Sequence, residues 1–299
     1  MQTIQAQPLK ADLLLVIVTL LAAAGWIFSR ETLQGMPPLL FIGIRFLGAA
    51  VLLALLSRNH MMTTTKSQWQ AGLPSAICFS LALVVWIHAL QRTEHVGVGA
   101  FITSLAIVLV PVAGWLIYRE LPQRAQWYSL PVSAAGLVFL ATDDLTQPDP
   151  GHLLFAVAAV LFAIHFTLTG RAVRLLPALP LTITQLAMVG LVTLVISALV
   201  ESWPGSISPV IWGWLLASLV LATAMRFYLQ THAQALSSAN HAAVILTLEP
   251  VFTALLAAFW LGETLNTAQL TGCLLIFGAM LIARWPVIKA LFSKRKDAS

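Results

Sequence analysis

Apolar residues run along this chain in long blocks, separated by short stretches of polar residues, prolines and glycines. A helix needs about 20 mostly apolar residues to cross a lipid bilayer. Between the blocks lie turn-forming sequences such as GMPP, TQPDPG, LPALP and SWPGSISP. The pattern predicts ten transmembrane helices, over residues 11–28, 36–57, 68–91, 95–118, 125–142, 151–170, 179–200, 209–232, 238–261 and 267–286.

The composition agrees with a lipid environment. Of the 299 residues, 59% are hydrophobic and only 9% are charged, and the mean hydropathy is +0.90. Soluble domains carry about 25% charged residues, so a surface this poor in charge cannot face water on all sides. The connections are too short to form a separate soluble domain. We therefore expect an all-α integral membrane protein with the lipid bilayer as its main partner.

The positions of lysine and arginine predict the orientation. If the N-terminus is cytoplasmic, Arg30 and Arg92 fall outside, Arg45 and Arg226 lie within helices, and the other basic residues in and between the predicted helices fall inside. These inside residues are Lys10, Arg58, Lys66, Arg119, Arg124, Arg171, Arg174, Arg284, Lys289, Lys294, Arg295 and Lys296. Cytoplasmic loops of membrane proteins are rich in such residues. We expect a multi-pass protein of the bacterial inner membrane with both termini in the cytoplasm.

Other features of the composition exclude several classes of protein. The net charge of +5 does not indicate a nucleic-acid partner, because the basic residues lie at helix ends rather than in one patch. Cys78 and Cys273 lie inside apolar segments and are expected to be small buried side chains, without a disulfide or a metal. Lys10 precedes an apolar run that lacks a cleavage site, so we expect the first helix to be retained.

The chain repeats itself with a period of about 140 residues, or five predicted helices. The segment AFITSLAIVLVPVAGWLIYRELPQRAQW (100–127) resembles AAVILTLEPVFTALLAAFWLGETLNTAQL (242–270), and Glu120 then matches Glu263. Because five is an odd number, two consecutive copies must cross the membrane in opposite directions.

We therefore predict two inverted five-helix repeats around a central cavity, residues 1–145 and 146–299. In this alignment Arg45 in helix 2 corresponds to Gln185 in helix 7. Inverted repeats recur in secondary transporters, where the binding site lies at the repeat interface near the middle of the membrane.

Three segments give the chain its resemblance to a known family. They are PPLLFIGIRFLGAAVLLAL (37–55), GVGAFITSLAIVLVPVAGWLIYRE (97–120) and FYLQTHAQALSSANHAAVILTLEPVFTALLAAFWLGE (227–263). The chain resembles the EamA-type members of the drug/metabolite transporter superfamily over nearly its whole length.

The resemblance implies ten helices with cytoplasmic termini, of which helices 5 and 10 lie at the periphery. It also implies transport of small metabolites, often outward, such as amino acids, their derivatives or toxic compounds. One departure is that Trp26 is followed by Ile27, where the family commonly has Trp-Gly. This predicts a less kinked first helix.

Glu249 is the leading candidate for function. A charged side chain in the middle of a membrane costs about 2.5–3.5 kcal/mol, so it is expected to face protein or water. The next residue, Pro250, has no N–H, so the carbonyl of Leu246 loses its partner and the helix opens locally. Glu249 can then hold a substrate ammonium group or exchange a proton. The alternative is a kink with the carboxyl group in a structural hydrogen bond.

Arg226 lies in predicted helix 8, which forms a tight hairpin with helix 9. Counting back from the turn places Arg226 about 7–8 Å to the cytoplasmic side of Glu249, a gap that two long side chains can bridge. Arg226 can hold a substrate anion or balance Glu249; alternatively it extends to the inner interface. Gln230, one turn further on the same face, and Tyr228 are candidates for the same polar lining.

The remaining candidates lie inside predicted helices and can serve either a binding cavity or helix packing. They are Arg45, Gln185, Trp26, Trp86, His88 and His165. Arg45 and Gln185 are expected mainly to tie helices together. The two tryptophans and two histidines are candidates for an aromatic and polar lining, with core packing as the alternative for each.

Motifs for enzymatic chemistry are missing from the sequence. It contains no HExxH, Walker A or G-x-S-x-G pattern and no cysteine–histidine metal spacing, so we expect no cofactor. The hypothesis is a secondary transporter that exports an amino acid or similar small molecule by alternating access, driven by a proton or a counter-substrate. The alternatives are a passive channel and, with less support, a polytopic membrane enzyme.

Overall fold

The computed structural model describes residues 8–57, 66–119, 121, 124–141, 150–172, 175–230, 245–246 and 248–296. In these ranges the chain forms helices joined by turns and loops. The helices are α1 (Pro8–Thr32), α2 (Pro38–Leu56), α3 (Lys66–Arg92), α4 (Val96–Tyr118), α5 (Arg124–Ala141), α6 (Pro150–Ala172), α7 (Ala178–Val200), α8 (from Pro209 to residue 230), α9 (Glu249–Trp260) and α10 (Thr267–Lys296). Within α8, Pro209–Leu219 is α-helical and Val220–Met225 is π-helical.

In the described part of the chain, seven helices are long and apolar enough to cross a membrane. They are Leu13–Thr32, Pro38–Leu56, Gln70–Arg92, Val96–Tyr118, Pro150–Ala172, Leu179–Val200 and Pro209–Gln230. Glu249–Trp260 and Thr267–Ala283 are shorter apolar helices. The chain is therefore an all-helical, multi-pass membrane protein. Ten spans in two repeats stay a prediction, because residues 238–244 and 247 of the predicted ninth span lie outside the described residues.

Two helices begin with proline, and one ends at a residue with a left-handed backbone conformation. α2 begins with Pro38 and α8 with Pro209, where the missing N–H is not needed for a helical hydrogen bond. Ser208 also caps α8, since its hydroxyl accepts a hydrogen bond from the Ile211 N–H at 3.4 Å. At the other end of a helix, Arg119 has φ of 59° and terminates α4.

The helices pack in a pattern that connects the two ends of the sequence. α2 packs on α7, α3 on α6 and α7, α4 on α6 and α9, and α1 on α8 and α9. α5 and α10 pack mainly on each other, with α4 as their other substantial contact. α2 and α7 approach closely at Gly190, where a side chain would not fit. A Cβ atom there would lie 2.5 Å from the backbone nitrogen of Leu47.

Two carboxylates hold helix N-termini across the bundle. Glu201, just after α7, accepts hydrogen bonds from the Leu39 and Leu40 N–H groups of α2 at 2.8 and 2.9 Å. Glu263, after α9, accepts from the Val96 and Gly97 N–H groups of α4 at 2.8 and 3.1 Å. The first N–H groups of a helix have no helical partner and carry partial positive charge, so a carboxylate there is stabilising.

We expect Glu201→Ala to lower the free energy of unfolding by about 1–2 kcal/mol, because α2 loses its cap. Thermal unfolding in detergent measures this change. Glu94→Ala is the matched control, since Glu94 is an exposed carboxylate near the N-terminus of α4, and it should have little effect. Equal losses in the two variants would contradict a capping role for Glu201.

Candidate functional site

The candidate site centres on Glu249, the first residue of α9. The preceding Leu248 forms a turn, and its N–H donates to the carbonyl of Ile245 at 3.0 Å. The hydroxyl of Thr253 donates to the carbonyl of Glu249 at 2.9 Å. The turn at Leu248 precedes the start of α9 at Glu249, two residues before Pro250, and agrees with the local helix opening expected from the Glu-Pro pair.

Two side chains from other helices contact the carboxylate of Glu249. Arg226 of α8 donates from Nη2 to Oε2 at 3.3 Å, forming an ion pair in which each side chain is about one quarter exposed, 25% for Arg226 and 26% for Glu249. Trp26 of α1 donates from Nε1 to Oε1, also at 3.3 Å. Both contacts are long for hydrogen bonds to a carboxylate, so a solute can displace them at modest cost.

The ion pair leaves polar atoms for a further partner. Among the described residues, Arg226 Nε and Gln230 Oε1 are buried atoms without a hydrogen-bond partner. They are a donor and an acceptor, and their side chains lie one helical turn apart on α8. An unpaired buried polar atom costs about 1–3 kcal/mol, so a solute that pairs both atoms gains binding energy there.

An aromatic cluster lies beside the carboxylate. The ring of Trp26 packs edge-on against Trp86 of α3, with centroids 4.8 Å apart and planes at 74°. Trp26 also contacts Phe155 of α6 at 5.7 Å. All three side chains are buried. The arrangement joins the predicted tryptophans, while Phe155 was not predicted.

Arg45 forms a separate buried cluster. Its Nε donates to Thr223 Oγ1 of α8 at 2.7 Å, and its Nη1 donates to Ser29 Oγ of α1 at 2.9 Å. Phe41 and Phe46 lie beside the guanidinium, with centroids 5.7 and 5.3 Å from Cζ. Arg45 therefore links three helices, and its role in substrate binding stays a prediction.

Gln185 forms the corresponding cluster in the other half of the chain. Its Nε2 donates to Thr169 of α6 at 2.9 Å and to the Ser75 hydroxyl of α3 at 3.0 Å. His165 Nδ1 lies 2.9 Å from the Ser75 carbonyl, which can only accept, so Nδ1 carries the hydrogen. His165 also stacks on Phe79 at 4.4 Å.

Two further predicted residues lie outside these clusters and also apart from Glu249. His88 lines an apolar groove of about 470 Å³ between α3 and α6, together with Val84, Val85, Arg92, Pro150, Leu153 and Leu154. Tyr228 is 51% exposed, and its position two residues after Arg226 directs it to another side of α8. No contact in the described residues joins either side chain to the carboxylate, so their binding roles stay predictions.

Four hydroxyl residues around the buried clusters were not predicted, namely Ser29, Ser75, Thr169 and Thr223. Ser29 and Thr169 lie 16 residues before Arg45 and Gln185, respectively. The internal repeat, read for polar positions rather than for apolar runs, would have indicated this pair. Thr223 gives no comparable signal, because its position depends on the π-helical segment of α8.

The described residues contain no group of three or more histidine, cysteine, aspartate or glutamate side chains that could hold a metal ion. The site consists instead of one ion pair, an indole N–H and unpaired polar atoms among aromatic rings. This donor set suits a small polar solute. The fold and the site together define a multi-pass membrane protein with a partly buried ion pair.

Comparison with known proteins identifies the family. The model of the EamA-like transporter family matches residues 9–142 and again residues 149–285. The chain therefore belongs to the EamA-like transporter family, within the drug/metabolite transporter superfamily. The resemblance in the sequence is confirmed, and the protein is a membrane transporter.

Individual relatives agree with this family. The chain is 26% identical to an uncharacterized transporter of Archaeoglobus fulgidus over 92% of this chain and 85% of the relative. It is also 26% identical to the protein PecM of Dickeya dadantii over 90% of this chain and 89% of the relative. A solved crystal structure matches 92% of this chain and 97% of its own with a TM-score of 0.64 and 18% identity, which shows the fold alone.

We expect Arg226 and Glu249 to be energetically coupled. Glu249→Gln, Arg226→Met and the double variant form a double-mutant cycle, with thermal unfolding in detergent as the measurement. The expected coupling is on the order of 1 kcal/mol, because the pair is close but partly exposed. A coupling of zero would mean that the two charges do not interact in the folded protein.

Proposed function

We propose that this chain is a secondary active transporter that exports amino acids or related small metabolites by alternating access. The observation that carries the proposal is the Arg226–Glu249 ion pair, 3.3 Å long and partly accessible inside an apolar bundle. Charges at membrane depth are expensive and mark substrate or ion pathways. An ion pair with only a structural role would not be stabilised by partial exposure, nor by the unpaired polar atoms of Arg226 and Gln230 beside it.

The chemistry of the site favours a substrate with a carboxylate and an amine. The carboxylate would bind Arg226, whose Nε is unpaired among the described residues. The ammonium group would bind Glu249 and the unpaired Gln230 Oε1. Trp26 and Trp86 would contact the apolar part of the same molecule. Such a substrate replaces one internal ion pair with two new ones, so binding loses little electrostatic energy.

The proposal includes two inverted repeats that move relative to each other. If α1–α5 correspond in order to α6–α10, each helix contact in the bundle should have a counterpart. The contact between α1 and α9 then corresponds to the one between α6 and α4, and the pairs α2–α7 and α5–α10 each consist of two corresponding helices. Arg45 and Gln185 each bond a hydroxyl residue 16 positions earlier. The two separate matches to the family model agree with this division.

In this scheme one end of the bundle is closed. Glu201 and Glu263 cap helices of the other repeat there, and Trp260 Nε1 donates to Glu31 Oε1 at 3.0 Å. The distribution of basic residues predicts that this end faces away from the cytoplasm. Export then requires these contacts to break, so that the cavity opens outward and both termini remain at the cytoplasmic face of the inner membrane.

Binding of substrate to purified protein tests the proposal. Screened against a library of metabolites, the protein should gain thermal stability with zwitterionic amino acids or their derivatives, since a ligand that binds the folded state stabilises it. Stabilisation should be lost in Arg226→Ala and Glu249→Ala and kept in Glu94→Ala, which removes an exposed carboxylate outside the site. Stabilising ligands that still bind both alanine variants would place the binding site elsewhere.

The coupling role of Glu249 has its own prediction. In proteoliposomes, Glu249→Gln should abolish accumulation driven by a proton gradient but keep substrate exchange, because the amide retains an acceptor and cannot exchange a proton. Arg226→Lys serves as a comparison that retains the charge. Accumulation unchanged by Glu249→Gln would remove this residue from coupling, and gradient-independent flux in the native protein would indicate a passive channel.

A further inference from the structure

The π-helical segment of α8 lies directly before Arg226. The Arg226 N–H donates to two carbonyls, that of Leu221 five residues back, as in a π-helix, and that of Thr223 three residues back. The Thr223 hydroxyl donates to the Ser218 carbonyl, also five residues earlier, at 3.0 Å. Such a segment accommodates one extra residue, so the next side chain is turned by about 100° from its place in an uninterrupted α-helix.

The π-helical segment is held from outside by Arg45. The Arg45 Nε donates to Thr223 Oγ1 at 2.7 Å, and Thr223 is completely buried, with 0% exposure. Arg45 is itself fixed by Ser29 at 2.9 Å. α1 also lies close to this segment, because a Cβ atom at Gly25 would lie 2.9 Å from Cβ of Ala222.

These contacts form a closed circuit through four helices. Starting from Trp26 in α1, it runs to Glu249 in α9 and Arg226 in α8. Three residues back along α8, Thr223 leads to Arg45 in α2, which returns to α1 at Ser29. Trp26 and Ser29 are less than one turn apart on α1, so the circuit connects the ion pair to the π-helical segment through both α1 and α8.

We infer that Arg45 and Thr223 are positioning residues, which maintain the π-helical segment and thereby turn Arg226 towards Glu249. The α-helix is the usual conformation of such a sequence, and π segments persist where surrounding contacts hold them. The hydroxyl of Thr223 meets both needs, since it satisfies a carbonyl of the widened turn and accepts from Arg45. This inference concerns the geometry of the ion pair and does not depend on what the site transports.

The test measures the coupling between Arg226 and Glu249 in altered backgrounds. The double-mutant cycle of Arg226→Met and Glu249→Gln is repeated by thermal unfolding in Thr223→Val, Thr223→Ser and Thr169→Val proteins. Coupling should disappear in Thr223→Val, where the side chain can no longer accept or donate, and remain in Thr223→Ser. Thr169→Val is the control, because it also removes a partly buried hydroxyl that accepts a hydrogen bond, here from Gln185, but lies in α6, outside the four helices that connect Arg45 to the ion pair. Undiminished coupling in Thr223→Val would overturn the inference.

A compensating deletion tests the geometry directly. If Thr223→Val lets the segment relax to an α-helix, deleting Val220 in the same protein removes the extra residue and returns Arg226 to its native direction. The coupling should then reappear. Failure to recover it in a folded deletion variant would count against the inference. Arg45→Met removes the donor of the hydrogen bond to Thr223. The same double-mutant cycle measured in this variant should also show no coupling between Arg226 and Glu249.

Discussion

The structure depends on the requirement that every charge inside an apolar bundle has a partner. A buried cation or anion without one is more expensive than most single packing defects. Arg45 meets the requirement with hydrogen bonds, since it is 6% exposed and donates to hydroxyls on two other helices. Arg226 and Glu249 meet it through each other, at a longer distance and with partial access. The two arrangements therefore differ in distance and in access to the charged groups, and this difference supports the proposal that Arg226 and Glu249 form the binding site.

Two buried clusters, around Arg45 and around Gln185, link helices through hydrogen bonds but differ in charge. In the proposed repeat, Arg45 and Gln185 correspond to each other, and each donates to a hydroxyl 16 residues earlier and to another on a third helix. A neutral amide needs only hydrogen bonds, whereas a guanidinium also brings a charge close to the segment that precedes Arg226. Arg45 contacts α8 at Thr223, three residues before Arg226. The half that contains Gln185 stabilises its helices without adding charge.

Much of this arrangement could be predicted from the sequence, and the limits have physical causes. Apolar runs and proline-rich turns indicated the helices, because membrane thickness fixes their length. The contact between Arg226 and Glu249 was within reach of simple counting along a helical hairpin. Thr223 was beyond such counting, since a π segment changes the angular register without a signature in the residue pattern. Tyr228 was grouped with Arg226 by proximity in sequence, although two residues along a helix lead to a different face.

The π-helical segment of α8 connects the packing of α2 against α8 to the direction of Arg226. Helix α8 could present an arginine to α9 as a regular α-helix only if the sequence were one residue shorter. With the extra residue, the direction of Arg226 depends on a hydroxyl that α2 holds from the opposite side. Any motion that shifts α2 against α8 would change the Thr223 contact and the ion pair together. If the two halves move relative to each other as proposed, this connection makes the strength of the ion pair depend on the conformation of the bundle.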